Sequence, residues 1–391
     1  MSDVVILSAA RTPMGGFQGE LSGLSAPQLG AAAIAAAVAR AGIAAGDVGE
    51  TLMGNVLPAG VGQAPARQAS RFAGLPDGVP CTTISKVCGS GMKAVMIGAD
   101  QVALGRAEIV VAGGMESMTN APYLLPKARS GYRLGHGEVK DHMFLDGLED
   151  AYEHRLMGTY AEDAARHYQF TREAQDAYAT ESLMRAKRAS TDGSFTDEIV
   201  PVKVAGRKGE VEVAVDEQPG KADPAKIPTL KPAFARDGTV TAANSSSISD
   251  GAAALVLTRA DTAVERGLKP VARLVAQASH AAEPRWFTTA PVGAIGKVLK
   301  LANWSKDDID LFEINEAFAN VAMIAMRDLG LDHAKVNVNG GACALGHPIG
   351  ASGARIIVTL LNALKARGKK RGVASLCIGG GEATAVAVEL L

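Results

Sequence analysis

Two cysteines and a histidine stand in glycine-rich stretches of this chain, where their side chains could do chemistry. Cys88 lies in the run Ser85 to Ala94. Gly89 and Gly91 follow it in a glycine-rich turn, which opens directly into an apolar helical segment. A thiol at a helix N-terminus faces unpaired N–H groups and the positive end of the helix dipole, and both favour the thiolate. We therefore predict that Cys88 is a nucleophile, although a lone cysteine is more often a small buried apolar residue.

The C-terminal part of the chain repeats this arrangement. His347 lies in a glycine-rich loop before another helical segment, and Cys377 precedes the triplet Gly379 to Gly381 after a strand-like run. Taken singly, a histidine is more often structural and a glycine triplet is more often a tight turn. Three such loops that hold Cys, His and Cys together indicate an active site.

Further motifs accompany these loops along the whole chain. They are Ala10 to Pro13 with Gly16, Phe17 and Gly19, then Gly62 to Gln68, and the block Asn315 to Ala319. With the Cys88, His347 and Cys377 loops in the same order, the chain resembles the thiolase family from end to end, and this combination is far more specific than a single short motif. The resemblance implies an α/β protein with a duplicated, five-layered αβαβα fold and an inserted loop domain. It also implies that the three residues lie at helix N-termini around one pocket.

The resemblance implies a role for each reactive group. Cys88 would carry an acyl group as a thioester, which keeps the acyl carbon electrophilic. His347 would take the proton of Cys88. Cys377 would remove a proton from the methyl group of a second acetyl-CoA, or return it in the cleavage direction.

Two oxyanion sites are implied in the same way. One would be formed by His347 with a water held by Asn315, the other by the N–H groups of Cys88 and Gly379. Judged from the residues alone, Asn315 could equally cap a helix that starts near Glu316. Glu316 itself is expected to orient its neighbours.

Coenzyme A is expected along the inserted region. By resemblance, the pantetheine channel is lined by Met157, Phe234, Ala242, Ser246, Ala317 and Phe318. Ser246 would bond an amide and the phenyl rings would exclude water, but on sequence alone ordinary core packing explains Met157 and the two phenylalanines more simply. The ADP part would rest at the surface, where Lys and Arg of the insertion can meet phosphate. We expect no metal and no cofactor other than the coenzyme A thioesters that serve as substrates.

Several positions depart from the family pattern. Leu156 stands where the short-chain biosynthetic enzymes carry a histidine, Ser247 replaces a glycine, and Glu382 with Ala383 follows the last glycine triplet in place of small residues. None of these changes removes a reactive group. Leu156 leads us to expect a somewhat wider range of acyl lengths than that of a strict acetoacetyl-CoA enzyme.

Composition limits the function classes. The chain has 391 residues with 40 Lys and Arg against 41 Asp and Glu, so its net charge of −1 creates no global attraction to nucleic acid or membrane. Only 4 cysteines occur and two are wanted as thiols, which suits a reducing compartment. No apolar run reaches membrane-spanning length. We expect a cytoplasmic location, with a processed organellar protein as the alternative.

The elements that position the loops follow from composition shifts. An Ala/Gly/Val-rich N-terminal half (1–118) carries the nucleophile, a charged, Pro-rich loop domain (119–243) covers the coenzyme A site, residues 244–270 return to the first half, and a second half (271–391) carries His347 and Cys377. Short apolar runs alternate with helical patterns in both halves, as in α/β layers. The loop domain is predicted to contain one helical region, Gly158 to Ala189. Matching patterns in the two halves indicate a duplication. In this duplication the strand that ends at Gly113 and Gly114 corresponds to the strand that ends at Gly379 and Gly380.

Three activities and one inactive alternative remain open. The leading one is an acetyl-CoA C-acetyltransferase, an acyltransferase of lipid metabolism that joins two acetyl-CoA into acetoacetyl-CoA and CoA. The alternatives are a 3-ketoacyl-CoA thiolase for longer chains and a CoA-binding protein that has lost catalysis. A ketoacyl synthase is disfavoured, because its site uses a second histidine where this chain has Asn315. The family resemblance further implies a homodimer or homotetramer.

Overall fold

Ten strands of this chain form one mixed sheet. The computed structural model describes residues 3–206 and 209–391, and within them the sheet runs in the order β12-β13-β14-β11-β1-β10-β5-β3-β4, with β2 beside β10. Two small hairpins, β6–β7 and β8–β9, lie outside it. The strands are β1 Val4–Arg11, β2 Gly15–Gly16, β3 Glu50–Gly54, β4 Cys81–Ile84, β5 Ile109–Ser117, β6 Tyr123–Leu124, β7 Lys140–Asp141, β8 Val202–Gly206, β9 Gly209–Val213, β10 Ser249–Arg259, β11 Ala272–Ala281, β12 Leu311–Ile314, β13 Arg371–Ile378 and β14 Glu382–Leu390.

Helices cover both faces of this sheet. They are α1 Ala26–Ala41, α2 Pro65–Phe72, α3 Ser90–Ala103, α4 Met157–His167, α5 Arg172–Thr191, α6 Glu217–Lys221, α7 Ala260–Glu265, α8 Ala290–Ala302, α9 Ala319–Leu329, α10 Ala342–Leu345 and α11 Ile349–Ala366. Short 3₁₀ turns occupy Ala45–Asp47, Ala128–Ser130, Pro224–Thr229, Pro284–Thr289, Lys306–Asp308 and His333–Lys335, and one π turn occupies Phe144–Leu148.

The sheet consists of two halves built on one plan. In the first half, β5 pairs with β3 in parallel and with β10 antiparallel, and β10 pairs antiparallel with β1. In the second half, β13 pairs in the same way with β12 and β14, and β14 pairs with β11. A ladder of three residue pairs between β1 and β11 joins the halves. Strand β10 thus lies inside the first half, although it follows the long insertion.

Five layers result from this arrangement. Helices α1 and α2 pack outside the first half-sheet, α8 and α9 lie outside the second, and α3 and α11 pack against each other between the two. The inner faces are apolar, as a sheet covered on both sides requires. The predicted α/β fold with its αβαβα order is therefore confirmed.

Glycines allow the two inner helices to approach closely. A Cβ added to Gly91 would lie 2.9 Å from the nitrogen of Ala354, and one added to Gly353 would overlap Met92. Gly91 therefore contacts Ala354 in the same way as Gly353 contacts Met92. A twofold rotation relates the two helices, and each residue of α3 corresponds to the residue 262 positions later in the chain. Any larger residue at either glycine would push the helices apart.

The strand register corrects one detail of the predicted duplication. Met53 of β3 pairs with Gly113 of β5, and Ile314 of β12 pairs with Ser375 of β13. The structural counterpart of Gly113 is therefore Ser375, and not Gly379. The predicted correspondence matched the Gly113-Gly114 pair with the Gly379-Gly380 pair. The hydrogen-bond register instead matches strand β5 with strand β13 residue by residue.

Two further expectations are wrong. The single helical region Gly158 to Ala189 is two helices, because Gln169 takes φ 55° and the Thr171 side chain accepts a hydrogen bond from Ala174 N, which starts a new helix. Helix α11 is long and apolar enough to cross a membrane by length and composition. It is apolar because 83% of it is buried inside the protein between the two half-sheets.

Candidate active site

Cys88 is presented by a strained turn just before α3. Val87 has φ 46°, a left-handed conformation that a β-branched residue rarely adopts. Ser90 Oγ holds this turn: it accepts a hydrogen bond from Lys86 N at 2.8 Å and donates one to Val87 O at 2.6 Å. A Cβ on Gly89 would overlap Ile378, so only glycine lets the turn approach β13.

Burial decides the protonation state of Cys88. It raises the pKa of the thiol to about 11, although the N–H groups of Gly379 and of Cys88 itself lower it. The helix dipole favours a thiolate at the half-buried Cys88, but desolvation of the charged form outweighs the local donors. Cys88 is therefore a neutral thiol until a base takes its proton.

His347 lies between α10 and α11 with its ring held by Ser352. The ring Nδ1 is 2.5 Å from Ser352 Oγ, and Ser352 Oγ donates its own hydrogen to Pro348 O at 2.8 Å. A hydroxyl has one hydrogen, so Ser352 accepts from Nδ1–H, and this leaves Nε2 as an unprotonated acceptor. His347 N also donates to Ser247 O at 3.2 Å, which fixes the loop backbone.

The imidazole of His347 is neutral. Burial and, to a smaller extent, the nearby charge of Arg355 lower its pKa to about 3. A neutral imidazole with a free Nε2 is the form that can accept a proton from a thiol.

Asn315 lies against the ring of His347. Its Nδ2 is 3.4 Å from both ring nitrogens, and its Oδ1 is 3.4 Å from Nη2 of Arg355. The alternative role as a helix cap is wrong, because α9 begins at Ala319 with Phe318 at its N-cap. Asn315 is thus available to the reaction site.

Cys377 lies at the end of β13, where it is fully buried. The resemblance implied that Cys377 lies at a helix N-terminus, and this expectation is wrong. The glycines after Cys377 turn the chain directly into β14. Burial raises the pKa of this thiol well above its usual value, and the proximity of Cys88 raises it further. The two sulfur atoms are therefore close enough to interact electrostatically.

The glycine turn after Cys377 supplies a donor to Cys88. Gly380 and Gly381 have φ of 90° and 88°, which only glycine adopts readily. This turn directs the N–H of Gly379 at the sulfur of Cys88. A nucleophilic thiol, a neutral base, a second thiol and fixed N–H donors can together transfer an acyl group and move a proton at the adjacent carbon.

The predicted channel residues form one apolar group beside Cys377. Phe234 and Phe318 make an edge-to-face contact with centroids 6.0 Å apart, and Met157 packs in the same cluster. A Cβ on Gly379 would lie 3.7 Å from Met157 Cε, so this methionine reaches the donor turn. Gly158 lies directly under the ring of Phe234, where a Cβ would overlap it.

Ala317 and Ser246 lie next to this group. Ser246 N donates to Ala317 O at 2.9 Å, and the neighbouring residues Ser245 and Phe318 form a bridge. Ala242 lines a cleft of about 230 Å³ whose wall also carries Lys226, a cation that can meet a phosphate. The structure thus places Met157, Phe234, Ala317 and Phe318 in one cluster with Cys377 and Ser246 beside it, and the contacts of all six predicted residues with coenzyme A stay a prediction.

Sequence reasoning missed one buried carboxylate, Glu116 at the end of β5. It accepts hydrogen bonds from the backbone N–H groups of Val56, Leu57 and Gly350 and from the Asn55 side chain. Burial raises the pKa of Glu116 to about 7, while these donors act in the opposite direction. Its position two residues after the Gly113-Gly114 pair was the available sign.

Glu316 orients its neighbours, as predicted. Its carboxylate accepts hydrogen bonds from Tyr178 at 2.9 Å, Ser182 at 2.7 Å, Asn337 at 2.8 Å and Cys343 N at 3.1 Å. These partners come from α5, from α10 and from the loop before α10, so Glu316 fastens the insertion to the segment that leads into the His347 loop.

Known proteins share the framework that carries this site. The models of the thiolase N-terminal and C-terminal domains match residues 4–261 and 268–390. The chain is 51% identical to an acetyl-CoA acetyltransferase of Cupriavidus necator over 393 residues, 100% of each protein. Two crystal structures also superpose: a Bacillus anthracis acetyl-CoA acetyltransferase (TM-score 0.97, 43% identity, 100% of this chain and 99% of that one) and the Ascaris suum Acat5 thiolase in complex with coenzyme A (TM-score 0.94, 44% identity, 100% of both). Two domain matches that cover nearly the whole chain, with full-length identity, establish that it belongs to the thiolase family.

Proposed function

We propose that this chain is an acetyl-CoA C-acetyltransferase, an acyltransferase that joins two acetyl-CoA into acetoacetyl-CoA and CoA, reversibly. The observation that carries the proposal is the convergence of two neighbouring thiols, Cys88 and Cys377, with the loop that holds the neutral imidazole of His347, since Cys88 packs against Ile349 at the end of that loop. Full-length relatives that carry this name support the same conclusion.

Acetylation comes first. Cys88 gives its proton to Nε2 of His347, and the sulfur attacks the carbonyl carbon of acetyl-CoA. The N–H groups of Cys88 and Gly379 face this sulfur, so they stabilise the oxyanion that forms beside it. The carbon–sulfur bond to coenzyme A then breaks, and CoA leaves with the proton from His347.

Condensation follows at the second thiol. The proton of Cys377 passes to His347, and the Cys377 thiolate removes a proton from the methyl group of a second acetyl-CoA. The imidazolium and the water bound to Asn315 stabilise the enolate oxygen. The carbanion attacks the acetyl group on Cys88, and the Cys88 thiolate that is released recovers the proton from His347.

The direct test is thiolysis. The purified protein should consume acetoacetyl-CoA and free CoA and release two acetyl-CoA, measured as the loss of acetoacetyl-CoA absorbance. Cys88→Ala should be inactive while Cys81→Ala, which changes a half-buried thiol at the sheet edge, should behave as the wild type. A folded wild-type protein with no thiolysis would exclude the proposal and favour a CoA-binding protein without catalysis.

A 3-ketoacyl-CoA thiolase of broader chain length is the second candidate. The observation that favours it is Leu156, an apolar, half-buried residue directly before Met157 at the start of α4. An apolar wall accommodates further methylene groups more easily than a polar histidine would. Comparable kcat/KM values for C4 and C6 ketoacyl-CoA would support it, and a C4 preference of several orders of magnitude would exclude it.

Assembly and location belong to the same proposal. We expect a homodimer or homotetramer, because strand β4 is an edge of the large sheet and the insertion exposes apolar side chains such as Leu134 and Tyr152. Light scattering on the purified protein would measure the subunit number. Four free cysteines are consistent with cytoplasmic lipid metabolism, which cell fractionation would test.

A further inference from the structure

An ion pair joins the two turns that meet at Cys88. Lys86, two residues before the nucleophile, binds Glu382, the first residue of β14. The pair crosses from one half of the protein to the other. Its side chains are 21% and 37% exposed, so solvent reaches both.

Each end of this pair is fixed to a reactive turn. The backbone of Lys86 accepts a hydrogen bond from Gly89 N and donates one to Ser90 Oγ, so Lys86 moves with the Cys88 turn. Glu382 pairs with Ile378 in the β13–β14 ladder and closes the turn that carries Gly379. A shift between Lys86 and Glu382 therefore shifts the Gly379 N–H against the Cys88 sulfur.

Both turns need an external restraint. Val87 is strained at φ 46°, and the opposite turn consists of three glycines, which have the greatest backbone freedom of all residues. Donor geometry in acyl transfer must hold within a fraction of an ångström. Val87 packs near Gly379, but apolar packing is not directional and does not fix the orientation of the Gly379 N–H.

We propose that Lys86 and Glu382 form a positioning link that holds the Gly379 N–H at the Cys88 sulfur during acetylation. The proposal rests on the proposed function, since acetylation is the step that the link serves. The two residues themselves need not touch the substrate.

The test replaces the charge at each end and then exchanges the two charges. Glu382→Gln and Lys86→Gln each break the link, and the double variant Lys86→Glu/Glu382→Lys reverses it. Glu389→Gln is the matched control, because it removes a carboxylate of the same strand that pairs with Arg273 and Arg371 at the far end of β14. Melting curves verify that each variant is folded.

Two readouts separate the link from the function. The first is the acetylation burst with acetyl-CoA, for which we expect roughly a ten-fold fall, between the few-fold effect of an exposed ion pair and the 100-fold effect of a 1 Å misplacement. The second is alkylation of Cys88 by iodoacetamide, which needs no thiolase activity. It should slow in both single variants, because a misplaced Gly379 N–H lowers the pKa of the Cys88 thiol less and so leaves less thiolate to react.

Every outcome decides the proposal. Recovery of both rates in the exchanged variant, with Glu389→Gln unchanged, supports a link. Single variants within about two-fold of the wild type in both rates overturn it. An exchanged variant as slow as the single ones also overturns it, because it would mean that one local charge acts on Cys88 directly. A wild type with no acetylation but an altered alkylation rate in the variants would reject the proposed function and keep the link.

Discussion

The two inner helices begin at equivalent places in the fold, and only one of them carries reactive groups. By the offset of 262 residues, Cys88 before α3 corresponds to Gly350 in α11, and Cys377 corresponds to Met115. One start thus has two thiols, and the other has a glycine and a thioether. A duplicated framework provides two candidate sites, and residue types at two positions decide which of them can do chemistry.

The donors at the two starts have different partners. The N–H of Gly350 binds the carboxylate of Glu116 at 2.9 Å, so an anion of the protein itself occupies that position. The corresponding N–H of Cys88 faces its own sulfur together with the N–H of Gly379. The Glu116 carboxylate therefore occupies the donor at the start of α11, whereas the donors before α3 are left for the oxyanion of a substrate.

Two equivalent serines show the same division. Ser90 braces the backbone of the strained turn before α3, while Ser352 orients the ring of His347 before α11. The start of α11 carries no nucleophile of its own, and it contributes the base, His347, to the nucleophile Cys88 at the start of α3. The halves are complementary parts of a single site.

The largest expected effect comes from Cys377→Ala, which makes this thiol as inert as its counterpart Met115. Acetylation of Cys88 should persist, because it requires no α-proton transfer. Formation and cleavage of acetoacetyl-CoA should fall by roughly 100-fold to 10,000-fold, as for the loss of a positioned acid–base group. Rapid-quench kinetics would measure both steps. Loss of acetylation in the folded variant would mean that Cys377 also serves the first step.

The serines should respond differently. Ser352→Ala frees the His347 ring and should lower kcat by about ten-fold with little change in KM, since a base out of position is a weaker base. Ser90→Ala should lower the melting temperature more than Ser352→Ala does, because the two hydrogen bonds of Ser90 hold a backbone turn that is strained at Val87. Steady-state kinetics and thermal unfolding of both variants test this. Equal losses of stability and activity in the two variants would contradict separate roles.

Gly350→Ala tests the packed start. An added Cβ would lie 2.5 Å from Glu116 Oε2 and 2.8 Å from Met115 O, so we expect overpacking that costs about 1–3 kcal/mol. Gly296→Ala in α8 is the control, because no atom lies within 4 Å of its added Cβ and the helix should gain up to about 1 kcal/mol. Denaturant unfolding would compare them. Unchanged stability of Gly350→Ala would show that this start is not closely packed.

The smallest effect concerns pH. The folded-state pKa of Glu116 is raised to about 7, so the stability it contributes is fully present below about pH 4.5 and is lost as the pH rises through 7. Glu116→Gln cannot ionise, and its melting temperature should therefore change less than that of the wild type between pH 5.5 and 8. Parallel curves for the two proteins would mean that the donors around Glu116 hold it ionised throughout.

Local signals made much of this site predictable. Cys88, His347 and Cys377 could be found because glycine-rich turns and reactive residue types are visible in short stretches of sequence. Burial could not be seen, and it turns the predicted Cys88 thiolate into a thiol. Glu116 was missed because its partners are far away in the chain, Val56 by 60 residues and Gly350 by 234. Asn315 was ambiguous because the exact start of the next helix is not visible in the sequence: only the fold shows that α9 begins at Ala319.

The central claim is that Cys88, and no other thiol, carries the acetyl group. Brief incubation with acetyl-CoA, acid quenching and peptide mass analysis would test it most directly. We predict an added acetyl group on the peptide that contains Cys88 and none on the peptide that contains Cys377, with Cys88→Ala showing no acetylated peptide. Acetylation of Cys377 alone would contradict the account, because the thiol assigned to proton transfer would then be the nucleophile.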